Sequence, residues 1–178
     1  MKIAVCSDLH LEFGPLSLEN TDKADVLVLS GDILVATDLT IDNTRTQLWH
    51  KFFDEVCERF PHVIYIMGNH EHYNGDFAKT ETHLKDVLSY LKNVYVLERE
   101  IKVIDDVTFI GGTLWTDMNN GDTLTLYHMK GMMNDFRVVD NSNRVVHFKS
   151  YEKVDGVEDH GKPTFHTRTP RFSPEDAF

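Results

Sequence analysis

The chain has 178 residues, 41% of them hydrophobic and 26% charged, with a formal net charge of −11. This is the balance of a single globular domain spanning 1–178, which excludes a disordered tail. The acidic surplus argues against strong nucleic-acid binding, because phosphate contacts need a basic surface; it leaves open a phosphate substrate held through cations. The longest apolar runs, Val26 to Leu29 and Val63 to Met67, are too short to span a bilayer. The N-terminus turns polar at Ser7 and Asp8, too early for a secretory leader, so no membrane partner and a cytoplasmic location are expected.

In chain order, Lys2–Cys6, Asp25–Leu29 and His62–Met67 are short runs rich in Val and Ile, each followed by a polar or glycine-rich turn. They predict buried strands of a sheet covered on both faces. Between the second and third, Thr44–Phe60 has helical spacing, with Leu48, Phe52, Val56 and Phe60 as its apolar stripe and Pro61 as its stop. A second helix is expected over Lys79–Leu91, with Leu84, Val87, Leu88 and Leu91 on one face. Strands follow at Val94–Leu97, Ile101–Ile104 and Val107–Gly111, the last two joined by an Asp105-Asp106 turn. Leu114–Thr116 is expected to prolong a strand, and Asp122–Met133 to form a helix.

From Asp140 the periodicity breaks, and residues up to Pro170 read as a long irregular excursion. Ser173 then has the signature of an N-cap, with Pro174 at the first helical position and Glu175 and Asp176 complementing the dipole. A helix start with no helix behind it predicts a chain truncated at its C-terminus. Cys6 and Cys57 form no CxxC pair and read as reduced, buried thiols.

Three segments carry chemistry, and each follows a predicted strand: Asp8-Leu9-His10, Gly31-Asp32, and Gly68-Asn69-His70-Glu71-His72. In an open α/β sheet, ligand sites lie beyond the carboxyl ends of the strands, so three turns bring Asp8, His10, Asp32, Asn69 and His70 to one edge. Carboxylate, imidazole and amide oxygen suit divalent ions such as Mn, Fe or Zn. Asp32, on the central turn, is placed to bridge two of them.

These motifs, with the flanks Ser7-Asp8-Leu9-His10-Leu11-Glu12-Phe13 and Gly111-Gly112-Thr113-Leu114-Trp115-Thr116-Asp117, resemble the first three motifs of the calcineurin-like metallophosphoesterases. Met133-Asn134-Asp135-Phe136-Arg137 and Phe172-Ser173-Pro174-Glu175-Asp176 are similar to a prokaryotic and phage-like branch of that family. The resemblance implies an α/β fold, the N-terminal part of a four-layer αββα sandwich. It implies a site for two divalent metal ions, with Asp8 and His10 on the first, Asp32 bridging, Asn69 on the second, and His70 as the catalytic histidine. Glu71 is a candidate to orient His70. The implied activity is hydrolysis of a phosphomonoester or phosphodiester, of a small-molecule or nucleotide substrate, by a metal-bridging hydroxide. The alternative is a non-catalytic metal-binding or partner-binding module on the same fold, and metal content separates the two.

The sequence departs from the family in lacking its fourth and fifth motifs, a histidine after a later strand and a Gly-His-x-His turn. His128, His147, His160 and His166 have neither context. Asp32 is followed by Ile33-Leu34-Val35-Ala36 instead of Arg-Gly, which argues against a protein Ser/Thr phosphatase. Among the remaining residues, His72, Tyr73 and Asn74 read either as cleft lining or as a solvated loop. Asp135 and Arg137 read as a structural ion pair ahead of a contact to substrate phosphate, Trp49 and Trp115 as core or edge packing ahead of a base-stacking platform, and Asp38, Asp42 and Asp54 as solvated charges.

Overall fold

A computed structural model describes residues 1–40, 44–150, 153–154, 157–158 and 164–177. Its centre is a four-stranded parallel sheet in the order β1 (Ile3–Cys6), β2 (Val26–Ser30), β3 (His62–Ile66), β4 (Val94–Val96). The register pairs Ile3 with Val26 and Val26 with His62, so the three site-bearing strands end level with one another. Parallel strands need crossovers, and helices supply them: α1 (Thr44–Arg59) between β2 and β3, and α2 (Thr80–Val87) between β3 and β4.

Both helices cover one face of the sheet. Trp49, Phe52, Phe53 and Val56 of α1 and Leu84 of α2 pack on Leu27, Leu29, Val63 and Tyr65. The buried stripe of α1 is rotated from the expected one. Trp49, Phe52, Phe53 and Val56 are inside, whereas Leu48 is 40% exposed. The two aromatics at 52 and 53 are bulkier than the leucine, and burying both turns the helix towards the 49–53–56 side. Trp49 adds an Nε1–H bond to the Leu11 carbonyl (3.1 Å).

The other sheet face is covered by an antiparallel hairpin, β5 (Glu100–Ile104) and β6 (Val107–Gly111), turning at Asp105 and Asp106. Ile104 and Phe109 pack there on Val26, Val28, Ile64 and Ile66. The layers are thus helix, sheet and hairpin sheet. The hairpin does not reach β1, whose Ile3 and Val5 stay 44% and 67% exposed.

Residues 112–116 are not a strand, contrary to expectation. Glu98 accepts from the Thr113 amide (3.0 Å), and the Thr113 hydroxyl lies 2.9 Å from both Glu98 Oε2 and the Met67 carbonyl, which share its one hydrogen. These bonds draw the segment across the strand ends and away from a ladder. Beyond it, α3 (Met118–Gly121), α4 (Thr123–Met132) and α5 (Asp135–Val138) build a second, smaller core around Met118, Phe136, Val139 and Phe172. Trp115 packs against this cluster, and Asp122 caps α4 through the Thr125 amide (2.9 Å).

The excursion after Asp140 is more regular than expected. β7 (Val146–Ser150) pairs antiparallel with β10 (Thr164–Arg168), and β8 (Lys153–Val154) with β9 (Val157–Glu158). Alternation of Val, Phe and Thr with polar residues supports this ribbon, although turn-forming residues hide it in the sequence. Asp42, Gly156, His160, Gly161 and Pro163 lie outside the described residues. The short helix α6 (Pro174–Ala177) starts as expected: Asp176 Oδ2 accepts from the Ser173 amide (2.8 Å).

Cys6 and Cys57 are free and half-buried, and burial pushes both thiols up, Cys57 to about 11. Asp38 is half-buried where a solvated charge was expected, and burial raises its carboxyl. No helix among the described residues is long and apolar enough to cross a membrane.

Candidate metal centre

The site is built where β1, β2 and β3 end. The turn after β1 is tied to the turn after β2 by three backbone bonds: Asp8 N–H to the Gly31 carbonyl (3.0 Å), His10 to Asp32 (3.0 Å) and Leu11 to Ile33 (2.8 Å). To make them, Asp8, His10 and Asp32 adopt left-handed backbone angles, with φ of 56°, 47° and 54°. Such conformations cost a non-glycine residue about 1–3 kcal/mol each and persist where the surroundings over-determine them. All three residues belong to the predicted ligand set.

The turn after β3 is locked to the turn after β2. Asp32 Oδ1 accepts from the His70 amide (2.9 Å). Gly68 is required here, because a Cβ on it would lie 2.7 Å from the Asp32 amide nitrogen. Glu71 sits fully buried beneath both turns and accepts from the amides of Asp32 (3.0 Å), Ile33 (2.8 Å) and Gly68 (2.7 Å) and from the Tyr65 hydroxyl (2.9 Å). Burial pushes its carboxyl up despite these donors.

Glu71 therefore braces the backbone and does not orient His70, a correction to the expectation. Glu12 is the acid that touches the imidazoles. Its Oε1 faces His70 Nδ1 at 2.9 Å and His10 Nδ1 at 3.1 Å. Burial pushes the Glu12 carboxyl up, but its own backbone N–H and the two imidazoles outweigh this and hold it below the ordinary range. Only the spacing Asp8-x-His10-x-Glu12 hinted at it. The single 3-10 turn at Leu11–Phe13 folds that spacing back over the histidines.

His10, Asp32 and His70 converge, each offering a ligand atom within 4.8 Å of the others. The His10 and His70 rings meet edge to face at 4.4 Å. Asp8, Asp32 and Asn69 line an adjoining cleft of about 560 Å³, walled by Ile110, Gly112, Thr113, Leu114 and Trp115. Tyr73 stacks on His70 with ring centres 4.2 Å apart and accepts from Asn69 Nδ2 (3.3 Å). Burial, and then Asp135, push the Tyr73 hydroxyl up to about 12.

Of the undecided residues, Tyr73 lies at the site, whereas His72 is 2% exposed and packs on Phe77 and Trp115. The expected Asp135–Arg137 ion pair is not made. Asp135 is buried and accepts from the Tyr73 hydroxyl (3.3 Å), and Arg137 donates to the Gly131 carbonyl (2.5 Å). Two imidazoles and a carboxylate, with a further carboxylate behind the imidazoles, form a donor set that fits a divalent ion.

The chain is 29% identical over 153 residues to an uncharacterised protein of Acanthamoeba polyphaga mimivirus, an alignment that takes in 75% of this chain and 50% of that protein. Its fold is similar to that of the phosphopantetheinyl hydrolase of Mycobacterium tuberculosis, with a TM-score of 0.57 and 19% identity over 78% of this chain and 54% of that one. The chain thus spans about half the length of the relatives it matches. The profile of the calcineurin-like phosphoesterases matches residues 1–171, and the chain belongs to that family.

Proposed function

We propose that these residues form part of a two-metal phosphoester hydrolase site, with Asp8 and His10 on one ion, Asp32 between the two, and Asn69 on the second. The convergence of His10, Asp32 and His70 beside a cleft lined by Asp8 and Asn69 carries the reading. When bound, the ions supply Lewis acidity and activate water as a nucleophile. The chain's own residues do the rest. Asp32 is held for its role by the Gly68 turn, and its Oδ1 is occupied by the His70 amide. His70, backed by Glu12 and flanked by the Tyr73 ring, keeps its Nδ1 proton on Glu12, takes up a second proton from solvent on Nε2, and donates that proton to the departing oxygen. The half-open cleft admits a small phosphomonoester or phosphodiester, including a nucleotide.

The test is metal-dependent hydrolysis of bis-p-nitrophenyl phosphate and p-nitrophenyl phosphate by the full-length protein. Loss of His70 as a general acid costs about 10²–10⁴-fold in rate. Asp32→Asn is expected to remove metal and activity together. Rates unchanged in both Asp32→Asn and His70→Ala would overturn the proposal. Residues 1–178, which lack the family's fourth and fifth motifs, are expected to turn over little or nothing.

One observation favours a second reading. His70 lies as close to His10 and Asp32 as a ligand would, which makes a single ion on two histidines and one carboxylate a rival to the two-ion site. His70→Ala separates them: as a ligand it lowers metal affinity, and as an acid it lowers only the rate.

A further inference from the structure

One carboxylate oxygen serves two histidines. Glu12 Oε1 lies 2.9 Å from His70 Nδ1 and 3.1 Å from His10 Nδ1. At those separations a lone pair on nitrogen would face a lone pair on oxygen, so each Nδ1 must carry its proton. In the neutral ring the other nitrogen, Nε2, is then the lone pair.

Glu12 is itself held firmly. It rides on the 3-10 turn Leu11–Phe13, whose Leu11 is buried. The Leu11 amide donates to Ile33, and its carbonyl accepts from Trp49. The Glu12 side chain is 14% exposed, and its Oε2 is buried with no partner among the described residues. The carboxylate therefore has the two imidazoles as its side-chain partners. The rings cross at 73°, and Glu12 Oε1 is within hydrogen-bond distance of Nδ1 on both.

We infer that Glu12 is a positioning residue that fixes the Nδ1–H tautomer and the ring orientation of both His10 and His70, presenting two Nε2 lone pairs towards Asp32. Naming His10 and His70 as site residues rests on the proposed function; their tautomers do not.

The tautomers can be read in the metal-free chain by nitrogen–proton correlation NMR of the imidazoles at about pH 8, well above the ordinary histidine pKa of about 6.5. Both rings are expected as Nδ1–H. Glu12→Ala should release that preference in both rings and lower Mn²⁺ affinity, by calorimetry, about 10–100-fold. Glu12→Gln keeps an acceptor oxygen and should keep the tautomers and recover most of the affinity. An Nε2–H form of either ring in the unsubstituted chain would overturn the inference. So would a folded Glu12→Ala variant with unchanged tautomers and affinity within about twofold. If Glu12→Ala does not fold, the unsubstituted chain and Glu12→Gln decide it. Nδ1–H tautomers without measurable Mn²⁺ binding would count against the hydrolase reading and leave Glu12 in its role.

Discussion

The turns at the ends of β2 and β3 and the ribbon of β7 and β10 are both irregular-looking stretches of sequence, yet they are built on opposite terms. In the turns, backbone amides find acceptors within and between the turns, three of them on the single buried Glu71 carboxylate. In the ribbon every residue of β7 is exposed, and the contacts are local: Phe148 stacks on His166 at 5.1 Å, and Ser150 Oγ meets its Nε2 at 2.6 Å. Two-stranded ribbons in water are marginal by themselves. The difference teaches that the site region is specified by buried polar satisfaction, so single changes there propagate, whereas changes in the ribbon stay local.

The largest expected effect breaks the turns. Glu71→Leu removes the acceptor for one buried and two half-buried amides and for the buried Tyr65 hydroxyl. At about 1–3 kcal/mol for each orphaned group, less whatever water recovers, urea unfolding should show a loss of about 4 kcal/mol. A loss under about 1 kcal/mol would mean that Glu71 is not the brace.

A smaller effect is conditional on pH. Burial lowers the His72 pKa from 6.5 to about 4. The unfolded chain takes up a proton near pH 6.5 that the folded chain refuses until about pH 4. Stability is therefore retained above about pH 6.5 and falls as pH drops through about 4, by about 3 kcal/mol in all. Neither ring nitrogen of His72 has a partner among the described residues. His72→Phe should flatten this part of the profile and stabilise the chain even at neutral pH. Parallel curves for the two proteins between pH 7 and pH 4 would contradict it.

The smallest effect lies in the ribbon. Phe165 is 69% exposed, with Lys149 over its ring at 5.3 Å. Phe165→Ala should change stability by no more than about 0.5 kcal/mol. A loss several times larger would show that the ribbon is packed against something essential, and would erase the contrast with the turns.

Much of this was legible in the sequence. Short apolar runs ending in Ser7-Asp8, Gly31-Asp32 and Gly68-Asn69 mark strands and their exits, because a strand buried on both faces has to be apolar until it leaves the sheet. The order of those exits puts Asp8, His10, Asp32, Asn69 and His70 on one edge. What was hidden depended on which way a side chain turns after its strand has ended. Adjacency in sequence suggested Glu71 for His70, but Glu71 points under the turn, where three amides outbid one imidazole. The α1 stripe was misplaced for a related reason: helical periodicity gives the spacing, while the bulk of Phe52 and Phe53 chooses the face.

By itself, then, the sequence determined the family, the parallel sheet and the residues that gather at its edge, since those follow from hydrophobic pattern and motif order. Only the tertiary structure decided that Glu12 stands behind both histidines and Glu71 behind the backbone. That choice is made by hydrogen bonds between turns about 38–58 residues apart, which no local pattern encodes.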